Sequence, residues 1–317
     1  MSSHPTIAGI IPPIVTPLIK QDVIDTEGFG RLLDQLVSAG VHGIFALGTT
    51  GEGPSLSHPT RRKMVRETAR LLNGRLPLYV GITDTSMAES MELAKVSADN
   101  GAAALVAAPP FYFPAGQEEL QHWFNTMLAQ LPLPLILYNM PGCTKTVLEP
   151  ETIAALIDHE SVIGLKDSSG DLNYLETALD IAARHRPDWP ILVGPEHLLI
   201  KSLRMGAVGG VAGGANLAPR LFTELYTVFQ NSDSSRLSEL EQTLNQLQQL
   251  YTIGAHGSAF LKGVKCALEL CNVCSGNLEE PFDAFHPPER KRVTEFLSSF
   301  SKTGFLPQTY LQTSPTP

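Results

Sequence analysis

The alternation of short apolar runs with longer amphipathic runs constrains the fold of this chain more than any other feature of its sequence. Each apolar run precedes a stretch whose apolar residues recur at helical spacing, as Leu32, Leu33 and Leu36 do in the first stretch. The runs are apolar throughout, which is typical of parallel strands buried on both faces. Predicted strands lie at residues 9–15, 43–47, 78–82, 103–107, 134–138, 162–166, 191–193 and 209–212. Predicted helices lie at residues 26–39, 59–72, 87–100, 117–130, 150–157, 172–184, 198–205 and 219–230.

Eight strand–helix units in series predict an α/β fold, a (β/α)8 TIM barrel. An open doubly wound sheet is the alternative, because the sequence does not reveal strand order. After residue 230 a polar joint leads into helical patterns at residues 237–250, 259–271 and 290–300. We therefore predict a barrel domain at residues 1–230, which carries the active site, and a C-terminal helical appendage at residues 231–317. Its polar tail, residues 308–317, is expected to be poorly ordered.

The charge and composition of the chain argue against several classes of binding partner. A net charge of −9 argues against nucleic acid or an anionic membrane as the main partner. Residues 1–5 lack the pattern of a signal peptide, and every apolar run is too short to span a membrane. Among the four cysteines, Cys271 and Cys274 form a Cys-x-x-Cys pair that we interpret as buried side chains rather than a zinc, redox or disulfide site. A cytoplasmic protein without a cofactor is expected.

Lys166 ends the predicted strand 162–166 and is followed by a Ser/Gly turn. An ammonium inside a buried strand would cost several kcal/mol, about 3–5, if left unpaired. At the carboxyl end of a strand the amine can reach a cleft, lose hydration and act as a nucleophile that forms a Schiff base. The alternative is a lysine that reaches solvent or pairs with Asp167.

Other strand ends supply candidate partners for this amine. The segment Gly48-Thr49-Thr50-Gly51 offers hydroxyls and amides that suit a carboxylate or phosphate, although an ordinary glycine-bounded turn explains it equally well. Tyr138 could relay protons or be a core aromatic. A run of glycines at residues 209–214 lacks the Gly-x-Gly-x-x-Gly spacing of a dinucleotide loop.

Together these groups favour one chemistry. An amine nucleophile needs a carbonyl, and a 2-oxo acid presents a carbonyl beside a carboxylate that the threonines can receive. A lysine imine holds the developing carbanion, so the predicted site needs no metal. The nine histidines show no metal-binding spacing.

The three motifs Gly48-Thr49-Thr50-Gly51-Glu52, Tyr138-Asn139-x-Pro141 and Gly164-x-Lys166-Asp167-Ser168 resemble those of the dihydrodipicolinate synthase / N-acetylneuraminate lyase family of Schiff-base aldolases. The resemblance implies that Lys166 forms an imine with pyruvate or the pyruvate part of a substrate. It implies that Thr50 holds the carboxylate and that Tyr138 transfers protons through Thr49 to Tyr112. In the family this second tyrosine reaches in from a neighbouring subunit, which implies a homo-oligomer, either a dimer or a tetramer built from two dimers.

The sequence departs from the family pattern at positions that bind the substrate in other members. Cys143 stands where dihydrodipicolinate synthases usually carry an arginine for a dicarboxylic partner. Glu196 matches an acidic sugar-binding position of sialic-acid lyases, whereas His197 replaces the next one. The full set of candidate substrate-binding residues is Thr50, Gly48, Ser168, Glu196, His197, Val211 and Cys143.

The predicted function is that of a Schiff-base lyase acting on a 2-keto-3-deoxy sugar acid or a sialic-acid-like substrate, by retro-aldol cleavage or dehydration. The first alternative is a 4-hydroxy-tetrahydrodipicolinate (dihydrodipicolinate) synthase that condenses pyruvate with aspartate semialdehyde. The second alternative, from another class, is a barrel that binds a 2-oxo acid without catalysis.

Overall fold

A computed structural model of the protein describes residues 7–313. The expectation about a signal peptide, and the last four residues of the predicted tail, lie outside this range. The strands are β1 (Gly9–Ile10), β2 (Leu18–Lys20), β3 (Val23–Ile24), β4 (Ile44–Ala46), β5 (Leu78–Gly81), β6 (Ala104–Ala107), β7 (Leu135–Asn139), β8 (Val162–Asp167), β9 (Ile191–Val193) and β10 (Gly209–Gly210). The α-helices are α1 (Thr26–Ser38), α2 (His58–Leu72), α3 (Met87–Asp99), α4 (Gln117–Leu128), α5 (Pro141–Thr144), α6 (Pro150–Leu156), α7 (Leu172–His185), α8 (Leu199–Met205), α9 (Pro219–Gln230), α10 (Ser234–Gln248), α11 (Ala259–Leu270), α12 (Pro287–Phe300) and α13 (Gln308–Thr313).

Eight of the strands form one parallel sheet in the order β1-β10-β9-β8-β7-β6-β5-β4. The two ends of the sheet meet where the amide of Phe45 donates to the carbonyl of Pro12 at 3.0 Å and the amide of Ile14 donates to the carbonyl of Phe45 at 2.9 Å. This contact completes the ring. The prediction of a (β/α)8 barrel is confirmed, and the open doubly wound sheet is excluded.

Four helices begin directly after a residue whose side chain caps the first turn. Asp25, Ser57, Ser86 and Asp171 each accept a hydrogen bond from a backbone amide in the first turn of the helix that follows. Such caps satisfy amides that have no partner within the helix. The caps determine the residue at which each helix begins. They therefore also set where the preceding loop ends.

The first and last strands of the barrel end before the predicted residues. The first was expected at residues 9–15 but ends at Ile10, because Pro12 and Pro13 have no amide hydrogen to donate to a neighbouring strand. The last ends at Gly210 rather than at residue 212. A small antiparallel hairpin, β2 with β3, was not predicted, because strands of three and two residues are too short to show a period.

Packing is continuous between the barrel helices and the C-terminal helices. One hydrophobic cluster contains Ile10 and Leu36 together with Leu244, Val264 and Leu297. A second cluster fills the barrel interior and includes Phe45, Tyr138 and Val211. The last barrel helix ends at Gln230, as expected. The division of the chain into two domains at residue 230 stays a prediction.

The Cys-x-x-Cys pair lies in the interior. Cys271 and Cys274 are buried with free thiols, and burial raises the pKa of each thiol to about 12. Within residues 7–313, no three or more His, Cys, Asp or Glu side chains are grouped so that they could hold a metal ion. No helix in the same range has the length and apolar character needed to cross a bilayer.

Candidate active site

Lys166 lies in β8 with its side chain almost fully buried, at 5% exposure. Strand pairing places it directly opposite Tyr138 of β7. The amine nitrogen lies 3.9 Å from the centroid of the Tyr138 ring and 4.8 Å from that of Phe45. Aromatic faces attract a cation when the amine is protonated. None of the ion pairs found among residues 7–313 includes Lys166.

Tyr138 connects this amine to the loop after β4. Its phenol oxygen lies 3.2 Å from the hydroxyl oxygen of Thr49, and either group can be the donor. Thr50, the next residue, is buried. The structure therefore brings together Lys166, Tyr138 and Thr49, and Thr50 follows Thr49 directly in the chain.

The loop at residues 48–53 is tightly folded. The amides of Gly51 and Gly53 both donate to the carbonyl of Gly48, at 3.0 and 3.2 Å. A β-carbon on Gly53 would lie 2.2 Å from the carbonyl oxygen of Leu47, so only glycine fits there. The backbone of this loop is thereby held close to the strand that carries it.

A cavity of about 310 Å³ opens at this end of the barrel. Gly48, Thr49, Tyr138 and Cys143 line it. Much of the remaining wall is apolar and comes from Phe45, Phe111, Met140, Leu261 and Phe282. Lys166 and Thr50 are not among its lining residues, but the lysine amine lies against the rings of Phe45 and Tyr138, two of the lining side chains.

Cys143 is an exposed lining residue close to Thr49 and Lys166. Desolvation raises the pKa of its thiol, while the amines of Lys145 and Lys166 and a hydrogen bond with Thr49 act in the opposite direction. A neutral thiol therefore occupies a position from which it can touch a substrate. It offers no fixed positive charge to a second carboxylate.

A buried network holds β8 behind the lysine. Asp167 accepts hydrogen bonds from the side-chain amide of Asn139 at 2.9 Å and from the amide and hydroxyl of Ser169 at 3.1 and 3.0 Å. Asn139 in turn accepts from the amide of Leu148 at 3.1 Å. Burial raises the pKa of Asp167, although these donors act against the shift. Asp167 therefore serves as an anchor for β7 and β8 rather than as an ion-pair partner of Lys166.

Glu196 is buried among groups from other parts of the chain. Its carboxylate accepts hydrogen bonds from the amide of Gly214, from the hydroxyl of Tyr251 at 2.8 Å and from the side-chain amide of Gln248 at 3.0 Å. Burial raises its pKa, and the donors offset part of that effect. Both carboxylate oxygens are engaged, so the geometry gives no support to the predicted sugar-binding role, which stays a prediction.

The remaining candidates are dispersed. His197 is exposed, whereas Val211 belongs to the buried cluster inside the barrel. Ser168 is half-buried, with its hydroxyl so close to Gly194 that a β-carbon there would lie 2.0 Å from it. None of the three lines the cavity beside Lys166.

Tyr112 lies on the surface in a strained conformation. It is 82% exposed, and its ring packs edge-on against that of Phe113 at 5.1 Å. Its φ of 88° falls in a region that costs a non-glycine residue about 1–3 kcal/mol. Within this chain the structure does not bring Tyr112 to the Thr49–Tyr138 pair.

Two of the lining residues that the sequence reasoning missed come from the C-terminal region. Leu261 and Phe282 belong to the C-terminal region, and the rule that selects strand ends of a barrel does not reach them. Only the packing of α11 and the following segment over the barrel mouth reveals their place.

The sequence was compared with families of known proteins. A family model described as the dihydrodipicolinate synthetase family matches residues 6–300. A 4-hydroxy-tetrahydrodipicolinate synthase from Methanopyrus kandleri is 32% identical over 308 residues, which cover 95% of this chain and 98% of the relative.

Two solved structures show the same architecture. A dihydrodipicolinate synthase from Bacteroides thetaiotaomicron superposes with a TM-score of 0.90 and 45% identity, covering 94% of this chain and 99% of the other. YagE of Escherichia coli K12, crystallised with pyruvate, gives a TM-score of 0.88 at 27% identity over 94% of this chain and 99% of its own. YagE is also named a putative 2-dehydro-3-deoxy-D-gluconate aldolase, and in sequence it is 29% identical over 83% of this chain and 86% of its own.

Proposed function

Because the chain belongs to the dihydrodipicolinate synthetase family, whose members are lyases of the class I aldolase type, we propose that Lys166 forms an imine with a 2-oxo acid. One observation carries this proposal. The buried amine of Lys166 lies against the ring of Tyr138, and the phenol of that ring lies 3.2 Å from the hydroxyl of Thr49. This arrangement supports the assignment of a nucleophile and a proton relay that lie side by side.

The first half of the reaction builds the imine. The neutral amine of Lys166 attacks the C2 carbonyl, and a proton moves from nitrogen to oxygen to give a carbinolamine. Tyr138 delivers the proton with which the hydroxyl leaves as water, and Thr49 holds the phenol in place for that transfer. A carbon–nitrogen double bond replaces the carbon–oxygen double bond.

The second half breaks a carbon–carbon bond. The phenolate of Tyr138 takes the proton of the C4 hydroxyl, the C3–C4 bond breaks, and its electron pair forms an enamine on C2 and C3. An aldehyde leaves. The Tyr138 phenol then protonates C3, and water adds to the imine and gives a proton back to the phenolate. Collapse of the resulting carbinolamine, with a proton moving from oxygen to nitrogen, releases pyruvate and the neutral amine of Lys166.

The carboxylate of the substrate has a receptor in the loop after β4. Thr50 offers a hydroxyl and an amide to an anion, and the glycines of this loop let it fold tightly against the barrel. With the carboxylate held there, the C2 carbonyl is directed towards Lys166.

We propose a 2-keto-3-deoxy sugar acid as the substrate class. Cys143 supplies a neutral thiol where a dicarboxylic partner would need a cation. Lys145 is exposed and donates to the carbonyl of Gly142 at 3.1 Å. The name of YagE supports the same class. The names of the Methanopyrus and Bacteroides relatives favour the second candidate, a synthase that joins pyruvate to aspartate semialdehyde.

Trapping with borohydride tests the chemistry. Pyruvate with borohydride should add a stable mass to the peptide that contains Lys166, and Lys166→Ala should abolish the addition. Lys145→Ala is the matched control, because it removes an exposed lysine near the same cavity mouth. An unmodified Lys166 peptide in the wild-type protein would refute the imine mechanism.

A substrate panel tests the choice of substrate. Several 2-keto-3-deoxy acids and N-acetylneuraminate are assayed for cleavage, and aspartate semialdehyde with pyruvate is assayed for condensation. Cleavage of the keto-deoxy acids is expected to be the fastest reaction. Condensation with a higher kcat/KM would assign the synthase activity instead.

We also propose that the protein is a homo-oligomer in which Tyr112 enters the active site of a neighbouring subunit. Two exposed aromatic rings, Tyr112 and Phe113, form an apolar projection that association would cover. The strained backbone at Tyr112 supports a functional role.

A further inference from the structure

A buried ion pair joins the loop after β4 to the C-terminal helices. The amine of Lys265 in α11 lies 2.5 Å from a carboxylate oxygen of Glu52, and the two side chains are 0% and 1% exposed. Two charges are removed from water here, which is costly unless their remaining hydrogen bonds are satisfied. The imine chemistry proposed above uses neither residue.

The remaining hydrogen bonds of the pair all lead to the same loop or to the cavity wall. Lys265 donates to the carbonyl of Thr16 at 2.8 Å, and the hydroxyl of Thr16 donates to the carbonyl of Gly51 at 2.6 Å. The second carboxylate oxygen of Glu52 accepts from the amide of Glu279 at 2.8 Å. Glu279 lies three residues before Phe282, which lines the cavity.

The pair also fixes the backbone of the residues that face the substrate. Glu52 has a φ of 56°, and its amide donates to the carbonyl of Thr49 at 3.1 Å. If Glu52 lost its buried partner, its backbone would be free to relax towards a more common conformation. Such a change would move Thr49 and Thr50 relative to Lys166.

We infer that Lys265 and Glu52 are positioning residues, which hold the Thr49–Thr50 segment at the place where it receives the carboxylate of a 2-oxo acid. This inference rests on the function proposed above. Glu52 also lines the cavity, but its two carboxylate oxygens are engaged by the amine of Lys265 and the amide of Glu279. Both residues therefore act through the loop rather than on the substrate. Through Lys265, helix α11 thereby helps to position the carboxylate receptor.

Adduct formation with two carbonyl compounds, pyruvate and propanal, distinguishes a positioning role from a general loss of structure. Pyruvate needs both the amine of Lys166 and the carboxylate receptor, whereas propanal has no carboxylate and needs only the amine. Borohydride trapping on Lys166 is measured by mass spectrometry over a range of concentrations of each compound. In Lys265→Met and Glu52→Gln the half-saturating pyruvate concentration should rise about tenfold or more, since small displacements of binding groups have effects of this size. The half-saturating propanal concentration should stay within about twofold of the wild-type value.

The matched control is Lys262→Met. Lys262 lies one turn before Lys265 in α11 and pairs with Asp283, which is largely exposed, at 2.6 Å. This control should leave both concentrations unchanged. A Lys265→Met protein with an unchanged pyruvate value, or with equal losses for pyruvate and propanal, would overturn the inference.

Thr16→Val provides the test if Lys265→Met does not fold. It removes the hydroxyl that holds Gly51 and leaves both charges in place. The half-saturating pyruvate concentration should then rise severalfold with no change for propanal, and an unchanged pyruvate value overturns the inference. A wild-type protein that forms no adduct with either compound would instead refute the proposed imine mechanism itself.

Discussion

The hydroxyl oxygens of Thr49 and Tyr138 lie 3.2 Å apart and connect the loop after β4 to the strand beside Lys166. The phenol is thereby oriented while its ring lies against the lysine amine. The loop after β4 and strand β7 thus together determine where the proton shared by Thr49 and Tyr138 lies. Removing the hydroxyl of Tyr138 should therefore affect catalysis without affecting the packing of its ring.

We predict that Tyr138→Phe lowers kcat by about 100-fold or more, because positioned proton transfer contributes at least that much. The ring stays in the cluster inside the barrel, so the midpoint of thermal unfolding should change little. Steady-state kinetics and a thermal scan check both parts. Thr49→Val serves as a companion, since it removes the partner hydroxyl and should lower kcat by a smaller factor. Unfolding of Tyr138→Phe would mean that the hydroxyl is needed for the fold.

Asn139→Leu should destabilise the protein. It leaves the buried carboxylate of Asp167 without the amide that donates to it at 2.9 Å and removes the acceptor of the Leu148 amide. Unsatisfied buried groups cost about 1–3 kcal/mol each, so the free energy of unfolding should fall by at least about that amount. Denaturant unfolding measures it. Asn125→Leu, on the surface of α4, is the control and should stay within about 0.5 kcal/mol of the wild type.

The carboxyl of Glu196 should make stability depend on pH. Burial raises its pKa in the folded protein, so the folded state binds more protons than the unfolded state above the ordinary glutamate pKa of about 4.3. Stability therefore falls as the pH rises from that value through the raised pKa. Glu196→Gln keeps the shape of the side chain but does not titrate. The free energy of unfolding of this variant, minus that of the wild type, should therefore increase as the pH rises from about 4 to 7.

Unfolding curves at several pH values measure this difference. Glu160→Gln, which changes an exposed glutamate, should show no such trend. A constant difference between Glu196→Gln and the wild type across the pH range would mean that the three hydrogen bonds cancel the effect of burial on the pKa.

The barrel and the place of Lys166 near the end of a buried strand could be predicted from sequence because both depend on local patterns. Continuous apolar runs mark strands buried on both faces, and a lysine at the end of such a run must reach a cleft, solvent or an acid. Glu196 shows where this reasoning stops. Its donors Tyr251 and Gln248 lie in the C-terminal helices, and no local pattern links them to β9. Leu261 and Phe282 reach the cavity for the same reason, through packing between distant parts of the chain.

Mixing two inactive variants tests the proposed role of Tyr112 across an interface. Lys166→Ala lacks the nucleophile, and Tyr112→Phe lacks the hydroxyl proposed to enter the neighbouring site. In a mixed dimer one site has an intact Lys166 and receives an intact Tyr112 from its neighbour. Random exchange of subunits in equal amounts should therefore restore about a quarter of the wild-type activity, because half of the dimers are mixed and each has one complete site. Phe113→Leu replaces Tyr112→Phe in the control mixture and should be active before mixing. If Tyr112 acts within its own chain, the mixture of the two inactive variants stays inactive.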